Sequence, residues 1–454
     1  MEKHFIKFAD LPPNPLDAED LKEYLELGMN TCLLTEDDVK LIKDGQLSDE
    51  YKQAIRNIAD AGLQVWIRNM FNDADYFQCE VPKEGSNYGD PYEMEPRNIT
   101  TEFEEFPAVT GFYMADEAYM YTLPEKNYVG WMQDMPQMNN AHKFASFDKL
   151  TRLVDWKNKY YPNAFFHMNH VPGRSWDHFL PRNGEFYNYE DFLTEYCEVI
   201  LKRLKGCGRS ICLDNYPLIG EDYLESDYLQ DIFTMAKVWR KYNSEVAEED
   251  KATLGICIQT FEAKSMFDER KRDIISPEEV TLQMYCGMAL GARLFEYFCY
   301  HSYQDLFIAI KGPNKQKRIY HHVQEAIVRT NYLEEVLFQY DSRGAFVVCG
   351  SHRSDNTLAF LSLKDLMIQD HTISVESSHD TLIGCFESGE KKGYMFVNYT
   401  DPKRKHKNYI TVRIPDAEKV CLYLNGKTQV VELTDNKEVC MVLPEGAAAF
   451  LALE

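Results

Sequence analysis

The sequence has no long apolar run and no excess of positive charge. None of its stretches approaches the roughly 18 apolar residues that a membrane-spanning helix requires. Among its 454 residues, 49 Lys and Arg stand against 73 Asp and Glu, and the formal net charge of -24 would repel a polyanion along most of the surface. We therefore expect neither a membrane nor a nucleic acid as a partner.

Disulfide and targeting patterns are also missing. The twelve Cys residues show no C-x-x-C pair and no regular spacing, which is typical of small buried thiols in a reducing compartment. The first residues contain no uninterrupted apolar segment of signal-peptide length. These observations predict a soluble, cytoplasmic protein.

No Gly-rich phosphate-binding turn follows the first predicted strand, since neither G-x-G-x-x-G nor a P-loop occurs there. Instead, eight short apolar segments alternate with helical patterns, an arrangement typical of parallel βαβ units. Eight such units close most simply into an α/β fold, the (β/α)8 TIM barrel, with a doubly wound open sheet as the alternative. The predicted strands are 4–9, 30–35, 63–69, 109–115, 163–172, 210–217, 253–262 and 293–302.

The sequence pattern changes near Gly344. Short alternating apolar runs, among them 357–363 and 371–377, are separated by Asp, Asn, Gly and Lys turns. This pattern predicts a smaller antiparallel β-sandwich domain. We expect a barrel domain at 1–340 and a sandwich domain at 341–454, with a helical link at 315–338 that packs beneath the barrel.

Two adjacent carboxylates follow the fourth predicted strand, which stops at Asp116 and Glu117. The carboxyl end of a strand is where α/β barrels place their catalytic residues, so an acid there indicates a catalytic role. A helix N-cap followed by an acidic first turn would explain the same two residues. Polar strand ends recur along this chain, however, and recurrence favours the functional interpretation.

Polar side chains follow most of the other strands as well. A barrel gathers the carboxyl ends of its strands at one face, so residues distant in sequence become neighbours. Hydrolysis of a glycosidic bond needs one carboxyl group as acid and another as nucleophile or base, about 5.5 Å apart for retention or about 6.5 to 9.5 Å for inversion. The polar tips are Glu36, Arg68, Asn69, Asp116, Glu117, His167, Asn169, His170, Asp214, Tyr216, Gln259, Glu262, Tyr300 and His301.

Four strand motifs resemble a known family. They are G-F-Y-M-A-D-E at strand four, L-D-N-Y-P at strand six, I-Q-T-F-E at strand seven and M-A-L-G-A-R-L-F-E-Y-F-C-Y at strand eight. Together they resemble the TIM-barrel glycoside hydrolases of the clan A superfamily, above all β-galactosidase-like and poorly characterised bacterial members with a β-sandwich after the barrel. The segment LIGCFESGEKKGYMFVNYTDP is similar to the accessory domain of those proteins.

The resemblance implies a pair of catalytic carboxylates. In that superfamily a Glu at the tip of strand four, normally preceded by Asn, is the acid/base, and a Glu at the tip of strand seven is the nucleophile. These positions correspond to Glu117 and Glu262 here. Asp116 stands where Asn is expected, and its charge beside Glu117 would raise one of the two pKa values. Glu262 lies late in its strand, three residues after Gln259, which leaves open whether its side chain points toward the other strand ends. Asp214 is therefore the alternative nucleophile. The other interpretation of Asp214 is a carboxylate that holds the loop after strand six.

Other polar and aromatic residues are expected to bind a carbohydrate substrate. Trp131 and Trp176 could stack on sugar rings or fill the core. The H-x-N-H pattern of strand five lacks a specific ligand spacing, so no metal and no cofactor are predicted. Glu296, in the middle of its strand, is expected to be a buried structural acid. The expected substrate-binding residues are Arg68, Asn69, Tyr113, Trp131, His167, Asn169, His170, Trp176, Tyr216, Gln259 and Tyr300.

Two other functions remain open from the sequence. One is a catalytically silent barrel that binds glycans, and the other is a metal-dependent barrel hydrolase with ligands from strands five and six. The identity of the sugar, its linkage and a homo-oligomeric state are left open.

Overall fold

The computed structural model describes most of the chain. The described residues are 4–35, 42–43, 46–68, 102–115, 147–170, 172–173, 189–218, 224–225, 227–263, 275–302, 307–312, 317–352 and 354–453. No helix within these ranges is long and apolar enough to span a bilayer.

Eight parallel strands form a nearly closed barrel. From β2 to β8 each strand pairs with the next one in the sequence, and β8 also pairs with β1, giving the order β1-β8-β7-β6-β5-β4-β3-β2. The two end strands approach each other where the backbone N–H of Asn30 donates to the Lys7 carbonyl oxygen at 3.1 Å. The strands are β1 Ile6–Ala9, β2 Thr31–Leu34, β3 Gln64–Arg68, β4 Val109–Ala115, β5 Phe165–His170, β6 Ser210–Leu213, β7 Thr253–Gln259 and β8 Leu294–Phe298.

Helices follow the strands and pack against the sheet with one apolar side. In the second helix, Tyr51, Ala54, Ile55 and Ile58 are buried at the i, i+3, i+4, i+7 spacing that marks such a side. The described helices of the barrel region are α1 Ala18–Glu26, α2 Asp49–Asp60, α3 Phe147–Tyr160, α4 Tyr189–Val199, α5 Asp227–Glu245, α6 Pro277–Leu290, α7 Arg318–Asn331 and α8 Glu334–Leu337.

Helix α6 begins and ends as its sequence predicts. The Ser276 hydroxyl accepts from the Glu279 backbone while the Glu279 carboxylate accepts from the Ser276 backbone, and Pro277 takes the first helical position. Gly291 ends the helix in the left-handed conformation, with a φ of 106° that favours glycine. The cap at Gly291 ends the helix three residues before β8 begins at Leu294.

Antiparallel sheets follow the barrel, as predicted. One six-stranded sheet has the order β9-β11-β12-β17-β14-β15, and a three-stranded sheet has the order β10-β13-β16. The strands are β9 Asp341–Val348, β10 Ser374–Ser377, β11 Thr381–Ser388, β12 Lys391–Asn398, β13 Asn408–Arg413, β14 Lys419–Leu424, β15 Lys427–Glu432, β16 Glu438–Leu443 and β17 Ala448–Leu453.

One predicted sandwich strand is wrong. The run 357–363 forms a short helix, α9 Thr357–Ser362, because it buries Phe360 and Leu363 three residues apart while Leu358 and Leu361 face solvent. Short apolar runs do not separate helix from strand by pattern alone.

The link between barrel and sandwich lies partly beneath the barrel. The Glu334 carboxylate of α8 accepts from the Phe5 backbone N–H at 3.4 Å and contacts Lys7, at the amino end of β1. One hydrophobic cluster continues from barrel helices into sandwich residues such as Phe386 and Phe450. The domain bounds 1–340 and 341–454 therefore stay a prediction, although β9 begins at Asp341.

Gly384→Ala is expected to destabilise the protein, because α6 packs directly on β11 at this glycine. A methyl group there would lie 2.1 Å from the Ala289 carbonyl oxygen, which is part of a helix backbone and cannot step aside. Such overpacking costs about 1–3 kcal/mol. Denaturant unfolding measures the loss, with Ser374→Ala on the exposed part of β10 as control; equal stability of both variants would contradict the close contact.

Candidate active site

The site is expected at the face formed by the carboxyl ends of the barrel strands, which we call the mouth. Strand β4 ends at Ala115, directly before Asp116 and Glu117. Several predicted site residues lie outside the described residues, so their roles stay predictions. These are Glu36, Asn69, Asp116, Glu117, Trp131 and Trp176.

An ion pair joins the ends of two strands at the mouth. The Arg68 guanidinium at the end of β3 contacts the Asp10 carboxylate just after β1, and it also lies 4.5 Å from the centre of the Tyr113 ring. The sequence predicts Arg68 and Tyr113 as substrate-binding residues, which stays a prediction, and it did not single out Asp10. The signal that identified the other tips, a polar residue directly after an apolar strand, was present at Asp10 too.

A hydrogen-bonded polar chain runs through the barrel interior below the mouth. The Tyr113 hydroxyl donates to Glu296 Oε1 at 3.1 Å, and His167 Nε2 lies 3.3 Å from Glu296 Oε2. The other ring nitrogen, His167 Nδ1, lies 2.8 Å from Ser210 Oγ. Glu296 is therefore buried and hydrogen-bonded, as predicted, while His167 faces this interior chain.

Asn169 is the next inward-facing residue of β5 after His167, since side chains alternate along a strand. Its side chain is only 1% exposed, and neither amide atom has a hydrogen-bond partner among the described residues. An unsatisfied buried polar group costs about 1–3 kcal/mol. An amide with a free donor and a free acceptor is suited to binding a vicinal pair of hydroxyl groups.

Asp214 and Tyr216 lie together after β6. Burial, followed by the negative charge of Asp214, raises the pKa of Tyr216 well above its usual range, so the phenol stays protonated and can donate. The Tyr216 ring packs edge-on against Phe261, and its oxygen lies 3.6 Å from Cys257 Sγ. A carboxylate with a fixed neutral donor beside it is a common element of hydrolytic sites.

Strand β7 ends in an amide rather than a carboxylate. Gln259 accepts from the Leu218 N–H at 3.0 Å and donates to the Leu218 carbonyl at 3.1 Å, so its side chain holds the segment after β6. The backbone of Glu262 lies beyond β7, where the short strand Glu262–Ala263 pairs antiparallel with Phe307–Ile308. Gln259 thus acts on the scaffold through contacts that its sequence position did not reveal.

Two of the expected binding residues face away from the mouth. His170 is buried against α4, with its ring centre 4.3 Å from that of Tyr196. Tyr300 is buried beside α1, where its hydroxyl lies 3.1 Å from Asp20 Oδ1. The structure does not bring either side chain together with Arg68 or Asn169.

Acid should destabilise the fold through His170. Burial, followed by the nearby His167, lowers the pKa of His170 from 6.5 to about 3, so the folded state keeps it neutral. The unfolded chain binds a proton below about pH 6.5, and stability is lost as the pH falls from there toward 3. We expect His170→Gln to reduce the loss of unfolding free energy between pH 7 and pH 5 by about 2 kcal/mol.

Denaturant midpoints at both pH values measure this difference. His371→Gln, at an exposed histidine of the sandwich, is the control and should leave the pH dependence unchanged. A wild-type pH dependence equal to that of His170→Gln would contradict a neutral buried imidazole.

No protein-family model and no curated protein matches this sequence. Solved structures do match it. A family 39 glycoside hydrolase from the gut symbiont Bacteroides cellulosilyticus WH2 has 11% identity and a TM-score of 0.51, over 100% of this chain and 81% of that chain. A catalytic mutant of Gan42B, a GH42 beta-galactosidase from G. stearothermophilus, has 9% identity and a TM-score of 0.55, over 99% and 98% of the two chains.

A third solved structure also matches nearly the whole chain. The beta-galactosidase from Bacillus circulans sp. alkalophilus has 9% identity and a TM-score of 0.52, with 99% of each chain covered. Identities this low establish the fold alone. The chain therefore has the fold of these glycoside hydrolases, a (β/α)8 barrel followed by antiparallel sheets, as the four strand motifs predicted.

Proposed function

We propose that this protein is a glycoside hydrolase that cleaves a small oligosaccharide or glycoside with a carboxylate pair. Glu117 is the general acid/base and Glu262 the nucleophile, and the anomeric configuration is retained. The observation that carries the proposal is strand β4: it lies in the barrel between β3 and β5 and ends at Ala115, directly before Asp116 and Glu117. Catalytic residues of TIM barrels come from such strand ends.

Asp116 suits the role proposed for Glu117. Two neighbouring carboxylates cannot both ionise without electrostatic cost, so the pKa of one is raised. A general acid must carry its proton at the working pH, and a raised pKa provides this. The Asp in place of the usual Asn is thus compatible with acid/base chemistry at Glu117.

The described residues of the mouth suit a neutral sugar. Asn169 offers an amide donor and acceptor that have no partner among the described residues, Tyr216 a phenol, and Arg68 a guanidinium already balanced by Asp10. The overall charge of -24 disfavours a polyanionic glycan. We propose an uncharged glycoside as substrate, with cytoplasmic hydrolysis after import. None of the eleven cysteines among the described residues forms a disulfide, which supports a reducing compartment.

Assays of the wild-type protein on a panel of nitrophenyl glycosides test this proposal. Turnover of at least one glycoside, with nitrophenol released in proportion to enzyme concentration, is the expected result. The absence of turnover across α- and β-linked hexosides and pentosides would contradict a hydrolase.

Gln259 favours a second candidate, a barrel that binds glycans without cleaving them. The last residue of β7 is an amide tied to Leu218, so the strand itself presents no carboxylate. Calorimetry separates the two functions: a silent barrel shows heat of sugar binding that saturates, without any released product. The hydrolase is preferred because the β4 tip carries two adjacent acids, which binding alone does not need.

A further inference from the structure

Three side chains of the types that bind metal ions lie close together inside the barrel, below the mouth. His167 of β5, Cys212 of β6 and Glu296 of β8 are fully buried. One ligand atom of each lies within 4.8 Å of the others, and no other group of three His, Cys, Asp or Glu residues in the described part of the chain is arranged in this way. These residues come from three different strands, so the barrel fold itself brings them together.

Outer hydrogen bonds turn the ligand atoms toward one another. Ser210 Oγ engages His167 Nδ1 at 2.8 Å, on the side of the ring opposite Nε2. The Tyr113 hydroxyl engages Glu296 Oε1 at 3.1 Å, and Glu296 Oε2 lies 3.3 Å from His167 Nε2. Metal-binding histidines and carboxylates characteristically have such outer partners, because these fix the tautomer and the orientation of the ligand.

The barrel also leaves room for the thiol. A Cβ atom built on Gly255 of β7 would lie 2.9 Å from Cys212 Sγ and 3.1 Å from Cys212 Cβ. Any side chain at 255 would therefore displace Cys212. The glycine keeps this sulfur beside the imidazole and the carboxylate.

We propose that His167, Cys212 and Glu296 bind a divalent transition metal ion of the Zn²⁺ type. The donor set of nitrogen, sulfur and oxygen suits Zn²⁺ and Co²⁺, whereas Mg²⁺ and Ca²⁺ prefer oxygen ligands alone. A thiolate, a carboxylate and a neutral imidazole together carry two negative charges, which a divalent ion balances in a medium where net charge is costly. On binding, the Cys212 thiol releases its proton to solvent and forms the metal–sulfur bond.

The ion would join β5, β6 and β8 beneath the proposed active site and is independent of the hydrolase proposal. Of the H-x-N-H residues it uses His167 alone, because Asn169 lies nearer the mouth and His170 packs against α4. The role is structural, so stability and spectroscopy, rather than activity, report on it.

Cobalt substitution tests the site in the full-length chain. The protein is produced in cells grown with Co²⁺, in a Cys349→Ser and Cys440→Ser background that removes two exposed thiols. We expect about one Co²⁺ per chain by elemental analysis, a thiolate-to-Co²⁺ charge-transfer absorption, and a higher melting temperature than after removal of the metal with a chelator.

Single variants assign the ligands. Cys212→Ser should abolish the charge-transfer band, while Cys257→Ser, the buried thiol of the next strand, should keep it. Ser210→Ala should weaken metal retention against a competing chelator by about 10- to 100-fold, because it removes the outer partner of His167. Glu296→Gln keeps a hydrogen-bond acceptor for Tyr113 and provides a second ligand test if Cys212→Ser does not fold.

Two results would overturn the proposal. One is a folded protein from Co²⁺-containing medium that shows no thiolate charge-transfer band. The other is a band that survives Cys212→Ser, or that is lost in Cys257→Ser instead. Circular dichroism of each variant shows that the comparison is made between folded proteins.

Discussion

Glu117→Gln is expected to lower kcat/KM for an alkyl glycoside by about 10²- to 10⁴-fold, the usual contribution of a general acid or base. An alkoxide leaves poorly without a proton, and glutamine cannot supply one. A nitrophenolate leaves without protonation, so its bond cleavage should be affected far less. Comparing the two leaving groups on the same sugar distinguishes loss of an acid from loss of folding or binding, which would affect both substrates equally.

Glu105→Gln is the matched control for this experiment. Glu105 is an exposed acid in the short helix Glu102–Glu105, which precedes the amino end of β4, whereas Glu117 follows its carboxyl end. The control should retain wild-type kinetics on both substrates. Equal loss on alkyl and nitrophenyl glycosides in Glu117→Gln, or no loss at all, would remove Glu117 from the acid/base role.

The barrel was predictable because its signal is repeated eight times. Each predicted strand overlaps an observed one, as where 30–35 contains Thr31–Leu34, and errors are confined to one or a few residues at the ends. The caps of α6 were predictable because their chemistry is local: Ser276, Glu279 and Gly291 act on backbone within one helical turn. Signals of these two kinds depend on residues that are close in sequence, so contacts between distant parts of the chain do not alter them.

The orientation of site residues was only partly predictable. Strand alternation alone separates Asn169 from His170, so the expectation that both would bind substrate conflicted with the period of two. The clamp between Gln259 and Leu218 and the burial of Tyr300 beside α1 depend on contacts over 40 or more residues, which no local pattern encodes. The same holds for the cluster at Glu296, whose partners come from β4 and β5.

Glu262→Gln is expected to lower kcat by on the order of 10⁶-fold, the scale seen when a covalent nucleophile is removed. An amide cannot form the glycosyl-enzyme ester on which retention depends. Asp214→Asn should cost about tenfold, the value of one hydrogen bond, because Tyr216 and the β6 scaffold remain. The two variants thus differ by several orders of magnitude, although both replace one carboxylate with an amide.

A slow 2-fluoro glycoside identifies the nucleophile directly, because the fluorine destabilises the oxocarbenium-like transition state and the covalent intermediate accumulates. Intact-protein mass spectrometry should show one added sugar, and peptide mapping should place it on Glu262. The Glu262–Ala263 strand pairs with Phe307–Ile308, which fixes the backbone that carries the carboxylate. A label on Asp214 would show that Asp214, after β6, is the nucleophile instead of Glu262. Product of inverted configuration without any label would instead require a carboxyl separation of about 6.5 to 9.5 Å, with water as the attacking group.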